Sequence, residues 1–318
     1  MPAGSGRSSP GRKGRAPGLL ELDRRLSARI RENSHYLWND SILKEDVERW
    51  LKNFTGSVTS LPRERILGLY ILSKYVYVPE REIRFLCREA YRLLLHALLE
   101  ANTPDPRAEV TPLIRRLVDS TKFYHLGGPG ESGGHILYMF RQENELPLRL
   151  FLNPAANSKR IGTLCVLDDM SLTGDQATKY RRALSRIKSD RVFFLFLIVS
   201  SAARRKLETA GYTVISALEI DDSEMSLRPR SALLMDAEND LGLRFSVALI
   251  RRFCREYGKQ SWPVYPLGYG DGALALGLHH NVPDNSLPIL WSETNWIPIV
   301  TRHHKTEEGE VEERRPFI

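Results

Sequence analysis

Two adjacent carboxylates, Asp168 and Asp169, follow four apolar residues, Leu164-Cys-Val-Leu167, and precede Met-Ser-Leu-Thr-Gly-Asp-Gln176. An ionised carboxylate only accepts hydrogen bonds, so two of them side by side can hold a pair of vicinal hydroxyls such as a ribose 2′,3′-diol. Thr173 adds a hydroxyl, Gly174 permits close backbone approach, and a helix beginning near Asp175 leaves its first N–H groups without internal partners. Those donors suit a phosphate. Diol and phosphate on one continuous segment describe a sugar phosphate, and Asp168, Asp169, Ser171, Thr173, Gly174, Asp175 and Gln176 are the residues this chemistry selects.

The carboxylates need a strand to carry them. Leu164 to Leu167 is an unbroken apolar run bounded by a turn signal and followed by a helical pattern, which predicts a parallel strand buried on both faces. In such sheets ligands sit at the carboxyl ends of the strands. From Phe123 onward the pattern alternates: strands over 123–126, 192–199 and 212–215, with helices after Ser132 and over 175–188 and 202–210. That alternation implies a parallel sheet with right-handed crossovers.

Upstream, Leu19 to Lys122 reads as helical throughout, with Leu19, Leu22, Leu26 and Ile30 spaced by three and four. Further helices are expected over 42–54, capped by Asp40 or Ser41, over 63–75, and over 79–101 with Pro79 in the first turn. Residues 239–257 read as a last long helix, and after Pro263 the chain is irregular. The expected organisation is a basic tail over 1–18, a helical N-terminal unit over 19–122, an α/β domain over 123–304, and an acidic solvated tail over 305–318.

A second anion-binding candidate lies just after the strand at 123–126. The loop Gly127-Gly-Pro-Gly-Glu-Ser-Gly-Gly134 precedes a helix, where successive N–H groups can form a nest for phosphate oxygens. The plainer readings are that its glycines serve a surface connection and that the acids at 168 and 169 cap the next helix. A nucleotide-hydrolysing strand is excluded, because no Gly-x-x-x-x-Gly-Lys-Ser/Thr loop exists.

Leu164 to Gly174 resembles the fingerprint of phosphoribosyltransferases, in which four apolar residues, two acids and a Thr-Gly loop bind 5-phosphoribosyl 1-pyrophosphate. More narrowly, the chain resembles the phosphoribosyltransferase-like domain of bacterial conflict elements, PRTase-CE, found beside retrons and other anti-phage systems. Trp50-Leu-Lys-Asn-Phe54, Glu131-Ser-Gly-Gly-His-Ile-Leu-Tyr138 and Pro283-Asp-Asn-Ser-Leu-Pro-Ile-Leu-Trp291, with Trp296 and Arg302 behind it, carry the narrower match over about residues 30 to 304. The resemblance implies a phosphoribosyltransferase-like sheet domain and places Glu131, Ser132, Gly133 and Gly134 at the pyrophosphate loop. It implies Mg²⁺ held through the pyrophosphate and ribose oxygens of the substrate, with no protein metal site. It also implies a transferase of antiviral defence or, alternatively, a non-catalytic sensor of a ribosyl phosphate. Leu172 stands where purine-type members have an acid before the Thr-Gly pair, which weighs against purine salvage.

Composition supplies the remaining limits. The chain has 318 residues with 42% hydrophobic content, enough for a large core. Its net charge of +7 includes Arg7, Arg12, Lys13 and Arg15 of the tail, so the rest carries little excess and a nucleic-acid partner is not expected. Cys87, Cys165 and Cys254 lie apart within apolar segments and read as reduced thiols of a cytoplasmic protein. The longest apolar run, 192–199, is far below the roughly 20 residues of a membrane span. Partner proteins of a defence system and a homo-oligomer are further expectations. The aromatic and amide residues Asn281, Asp284, Asn285, Trp291 and Trp296 could line an acceptor pocket or could staple the C-terminal segment to the core. The pairs His279-His280 and His303-His304 are poor metal candidates without matching acidic or cysteine ligands.

Overall fold

The structure, a computed structural model, describes residues 17–102, 109–127, 132–152, 160–221 and 245–301, together with Leu227, Ser231, Leu234 and Leu241. Successive side chains of a strand point to opposite faces, and the apolar run obeys this rule. Cys165 and Leu167 enter one core while Leu164 and Val166 enter another. The strand continues beyond the apolar run: β3 covers Ile161–Ser171 and carries both carboxylates.

β3 sits in a parallel sheet with β2 (Thr121–His125), β4 (Ser189–Ser200) and β5 (Thr213–Ile220), in the order β2-β3-β4-β5. Leu167 lies opposite His125 on one side and Leu195 on the other. On its outer edge β2 accepts a parallel bridge from Phe151, and the Leu152 N–H bonds the Phe123 carbonyl at 2.8 Å. The chain thus leaves β2 to one side, returns across it and continues as β3 on the other. This reversal of direction opens a crevice above the carboxyl ends of β2 and β3, the usual place for a ligand in an open α/β sheet.

Helices cover both faces. α4 (Glu80–Glu100) buries Ile83, Cys87, Ala90, Leu94 and Leu98, spaced by three and four, against the Cys165 face together with α6 (Ser132–Glu143). The preceding α5 (Val110–Asp119) also flanks β2. The opposite face packs on α7 (Asp175–Lys179), α8 (Arg181–Leu184) and α9 (Ser201–Thr209).

A third core joins the two ends of the chain. α1 (Leu19–Tyr36), α2 (Lys44–Leu51) and α3 (Leu61–Ser73) pack with α10 (Val247–Ser261) and α11 (Pro288–Trp291). The indoles of Trp50 and Trp296 both donate to the Ile289 carbonyl, at 2.6 and 2.8 Å. Buried Glu64 accepts the N–H groups of Gly56, Val58 and Thr59 and the Tyr257 hydroxyl, tying the loop after α2 to α10. Packing therefore groups α1 to α3 with the C-terminal segment and α4 and α5 with the sheet, although all five precede β2 in sequence.

Several local details differ from the sequence reading. A short strand, β1 (Val76–Val78), interrupts the helical N-terminal stretch and pairs in parallel with β6 (Leu276–Leu278); three residues are too few to show a period. The α2 start uses Asp46, whose carboxylate accepts the Leu43 N–H at 2.9 Å, in place of Asp40 or Ser41. Asp40 adopts a left-handed φ of 54° in the preceding turn. Pro79 is the N-cap of α4, one position earlier than expected. The helix expected over 175–188 divides into α7 and α8, and β5 runs on to Ile220. The two tails lie almost entirely outside the described residues. Among those described, no helix is long and apolar enough to cross a membrane. All three cysteines are buried and unpaired, and burial pushes the Cys87 thiol up to about 12.

Candidate functional site

Above the β2–β3 crevice lies a cleft of about 1090 Å³. One wall is the motif segment. Met170 to Ala177 line it continuously beneath Asp168 and Asp169, and Ser132 and His135 of α6 close its side. The turn after β3 is fixed by local bonds: Gly174 takes φ +71°, the Thr173 Oγ1 accepts the Asp175 N–H at 3.2 Å, and the Thr178 N–H reaches the Gly174 carbonyl at 3.1 Å. Ser200 at the end of β4 anchors it from below. Its hydroxyl donates to the Leu172 carbonyl at 2.7 Å and accepts the Ala203 N–H at 3.0 Å, joining the turn to the start of α9. Asp175 leans outward to Lys206, and that ammonium together with Thr173 holds its carboxyl below the usual carboxylate range.

The two strand-tip acids are held differently. Asp168 Oδ1 accepts the Asp169 N–H at 3.0 Å. Asp169 Oδ1 accepts the Met170 N–H at 2.8 Å, and its Oδ2 lies 3.0 Å from the Nε2 of His280. The Ser132 hydroxyl also donates to Asp169. Burial alone would raise the Asp169 pKa, yet His280, the Met170 N–H and Ser132 outweigh it and hold the carboxyl below its usual range. The His135 ring lies 5.3 Å from that of His280, and burial and the neighbouring imidazole lower its pKa. Both carboxylates are almost fully enclosed by protein while still lining the cleft.

The opposite wall comes from the irregular C-terminal segment. Trp262, Tyr269, Asn281, Asp284, Asn285 and Trp291 face the motif across the cleft. Trp262 and Trp291 meet edge to face at 5.4 Å, and Asn285 donates to the Tyr269 carbonyl at 2.9 Å. Trp296 does not reach the cleft. It packs between Phe54 and Tyr257 in the third core, so of the two roles open to this group it takes the staple and the others take the wall.

The motif residues expected from sequence therefore gather in one place, and Ser132 joins them from α6. Gly133 and Gly134 stand apart from the lining. A Cβ on Gly133 would meet the Leu126 carbonyl oxygen at 2.4 Å and Asp168 Oδ1 at 3.3 Å, so this glycine lets α6 press against the strand tips. Gly134 has open space around it. Glu131 lies outside the described residues. Sequence reasoning missed His280, His135, Trp262 and Tyr269. His280 is 111 residues from Asp169 in the chain, and no local pattern announces that meeting.

A parallel sheet with an acidic pair at one strand tip, a Thr-Gly turn behind it and a crevice at the order reversal defines a phosphoribosyltransferase-like α/β protein. The chain belongs to the PRTase-CE family, whose model matches residues 47–302. No curated protein matches it. Among solved structures it is similar to the orotate phosphoribosyltransferase of Aeropyrum pernix, with 16% identity over 41% of this chain and 70% of that one and a TM-score of 0.25. It is also similar to the UMP synthase of Leishmania donovani, with 15% identity over 66% of this chain and 41% of that one and a TM-score of 0.30.

Proposed function

We propose that this protein binds 5-phosphoribosyl 1-pyrophosphate with Mg²⁺ and transfers or cleaves its ribosyl phosphate, as a cytoplasmic component of bacterial defence against phage. One observation carries the reading: the acids at the tip of β3 and the Thr173-Gly174 turn line the same cleft, at the spacing of a family whose members share this motif. Asp168 and Asp169 would take the ribose hydroxyls, and Ser171, Thr173 and the backbone at Gly174 to Gln176 would take the 5′-phosphate.

In the reaction the C1–O bond to pyrophosphate breaks as a bond from C1 to the acceptor forms, through an oxocarbenium-like state. Ser132 and the N-terminus of α6 stand beside the ribose acids, on the side from which pyrophosphate would leave. Among the described residues no cluster of three or more His, Cys, Asp or Glu could hold an ion alone, whereas Mg²⁺ readily binds through phosphate oxygens plus one or two carboxylates. That donor set fits a cation brought by the ligand, and the cation would neutralise charge on the departing pyrophosphate.

A specific feature favours a second reading, in which the cleft senses a ribosyl phosphate without turning it over. Leu172 replaces an acid next to the Thr-Gly pair, and its carbonyl is fixed by Ser200. Calorimetric titration of 5-phosphoribosyl 1-pyrophosphate with Mg²⁺, paired with pyrophosphate release over candidate acceptors and water, separates the two. Binding with release supports the enzyme, binding alone supports the sensor, and no binding removes both.

A further inference from the structure

We propose that His280 is a specificity-determining residue: its imidazole competes with a ligand hydroxyl for Asp169 and so limits how much the cleft gains from a 2′,3′-diol. The inference rests on the ribosyl-phosphate reading and adds to it a residue from the opposite wall. His280 Nε2 lies 3.0 Å from Asp169 Oδ2, with side chains 10% and 4% exposed. A carboxylate offers about four acceptor sites, and here the His280 N–H, the Met170 N–H and the Ser132 hydroxyl already use three. A hydroxyl arriving at Oδ2 must displace the imidazole.

The resting pair is built to yield. His280 Nδ1 is buried and finds no hydrogen-bond partner among the described residues. A polar atom buried without a partner offsets part of what the Nε2 bond contributes, so the pairing is weaker than a fully matched one. Asp168 is not engaged by His280 and takes its hydroxyl without that displacement. The competition therefore falls on one of the two hydroxyls, and its removal should benefit a sugar that carries both.

The test is calorimetric titration of the full chain with ribose 5-phosphate and with 2-deoxyribose 5-phosphate, in wild type, His280→Ala and His280→Gln. His280→Ala should bind ribose 5-phosphate about tenfold tighter, the order of one charge-assisted hydrogen bond less its partner's loss, with the deoxy sugar changed less than about twofold. His280→Gln, whose amide restores a donor, should stay near wild type. Thermal melting reports the fold; if the alanine variant is unfolded, His280→Ser is titrated in its place with the same expectation. Unchanged or weaker ribose 5-phosphate binding in a folded variant overturns the inference, as does an equal gain for both sugars. If neither sugar binds any of the proteins, wild type included, the ribosyl-phosphate reading itself fails.

Discussion

The two walls of the cleft are built by opposite means. The motif wall, from the β3 tip to Gln176, is one continuous stretch whose shape follows local rules: side-chain alternation along a strand, one left-handed glycine and one hydroxyl bonded two residues on. The C-terminal wall has almost no regular structure. It stands because α10 presses on the loop after it, because Trp262 meets Trp291, and because Trp50 and Trp296 converge on the Ile289 carbonyl from distant parts of the chain. The difference teaches that the part of a site able to bind a common chemical group can be local, while the part that chooses among ligands is assembled by packing.

Breaking the packed wall should cost the most. A Cβ at Gly258 would sit 1.8 Å from the Pro266 carbonyl oxygen, a backbone atom with no room to move, so Gly258→Ala should destabilise by about 3 kcal/mol or more. Denaturant melts measure this, and a wild-type midpoint would show that the wall does not depend on that contact. At the junction of the motif wall with α6, Gly133→Ala forces a Cβ to 2.4 Å from the Leu126 carbonyl oxygen; about 1–3 kcal/mol is expected, with weakened sugar-phosphate binding because Asp168 is displaced.

Asp168→Asn sharpens the contrast from the chemical side. Ribose 5-phosphate affinity should fall at least tenfold, about 1.4 kcal/mol, while the melting midpoint moves little. An equal loss of both would mean that the residue serves the fold.

The link between the walls carries a pH signature. Asp169 is held below the ordinary carboxylate range when folded, so its contribution is fully present above its unfolded pKa of about 3.9 and fades as pH falls through the lower folded value. Asp169→Asn should flatten that acid-side loss in urea melts run between about pH 5 and pH 2. The smallest effect belongs to the exposed Asp175–Lys206 pair, whose removal by Asp175→Asn should shift stability by about 0–1 kcal/mol and vanish in high salt.

What the sequence disclosed follows the same division. β3, its two acids, the Thr-Gly turn, Ser132 and the alternation of the sheet were legible because each is written within a dozen residues. The Asp169–His280 contact was not, since it needs β6 seated against β1 to bring the two residues together. Nor was the reason for Gly133, which is a clash with β2 and β3 that only their assembled positions create. Asp40 and Ser41 carry the right side chains for a cap, but the turn before α2 placed Asp46 at the free N–H first.

The most direct test of the account is a crystal structure of the full chain with 5-phosphoribosyl 1-pyrophosphate and Mg²⁺. The account predicts ribose hydroxyls on Asp168 and Asp169, His280 moved aside, and the 5′-phosphate seated on the turn from Thr173 to Gln176. A sugar bound elsewhere, or an Asp169–His280 pair unchanged beneath a bound ligand whose phosphate avoids that turn, would contradict it.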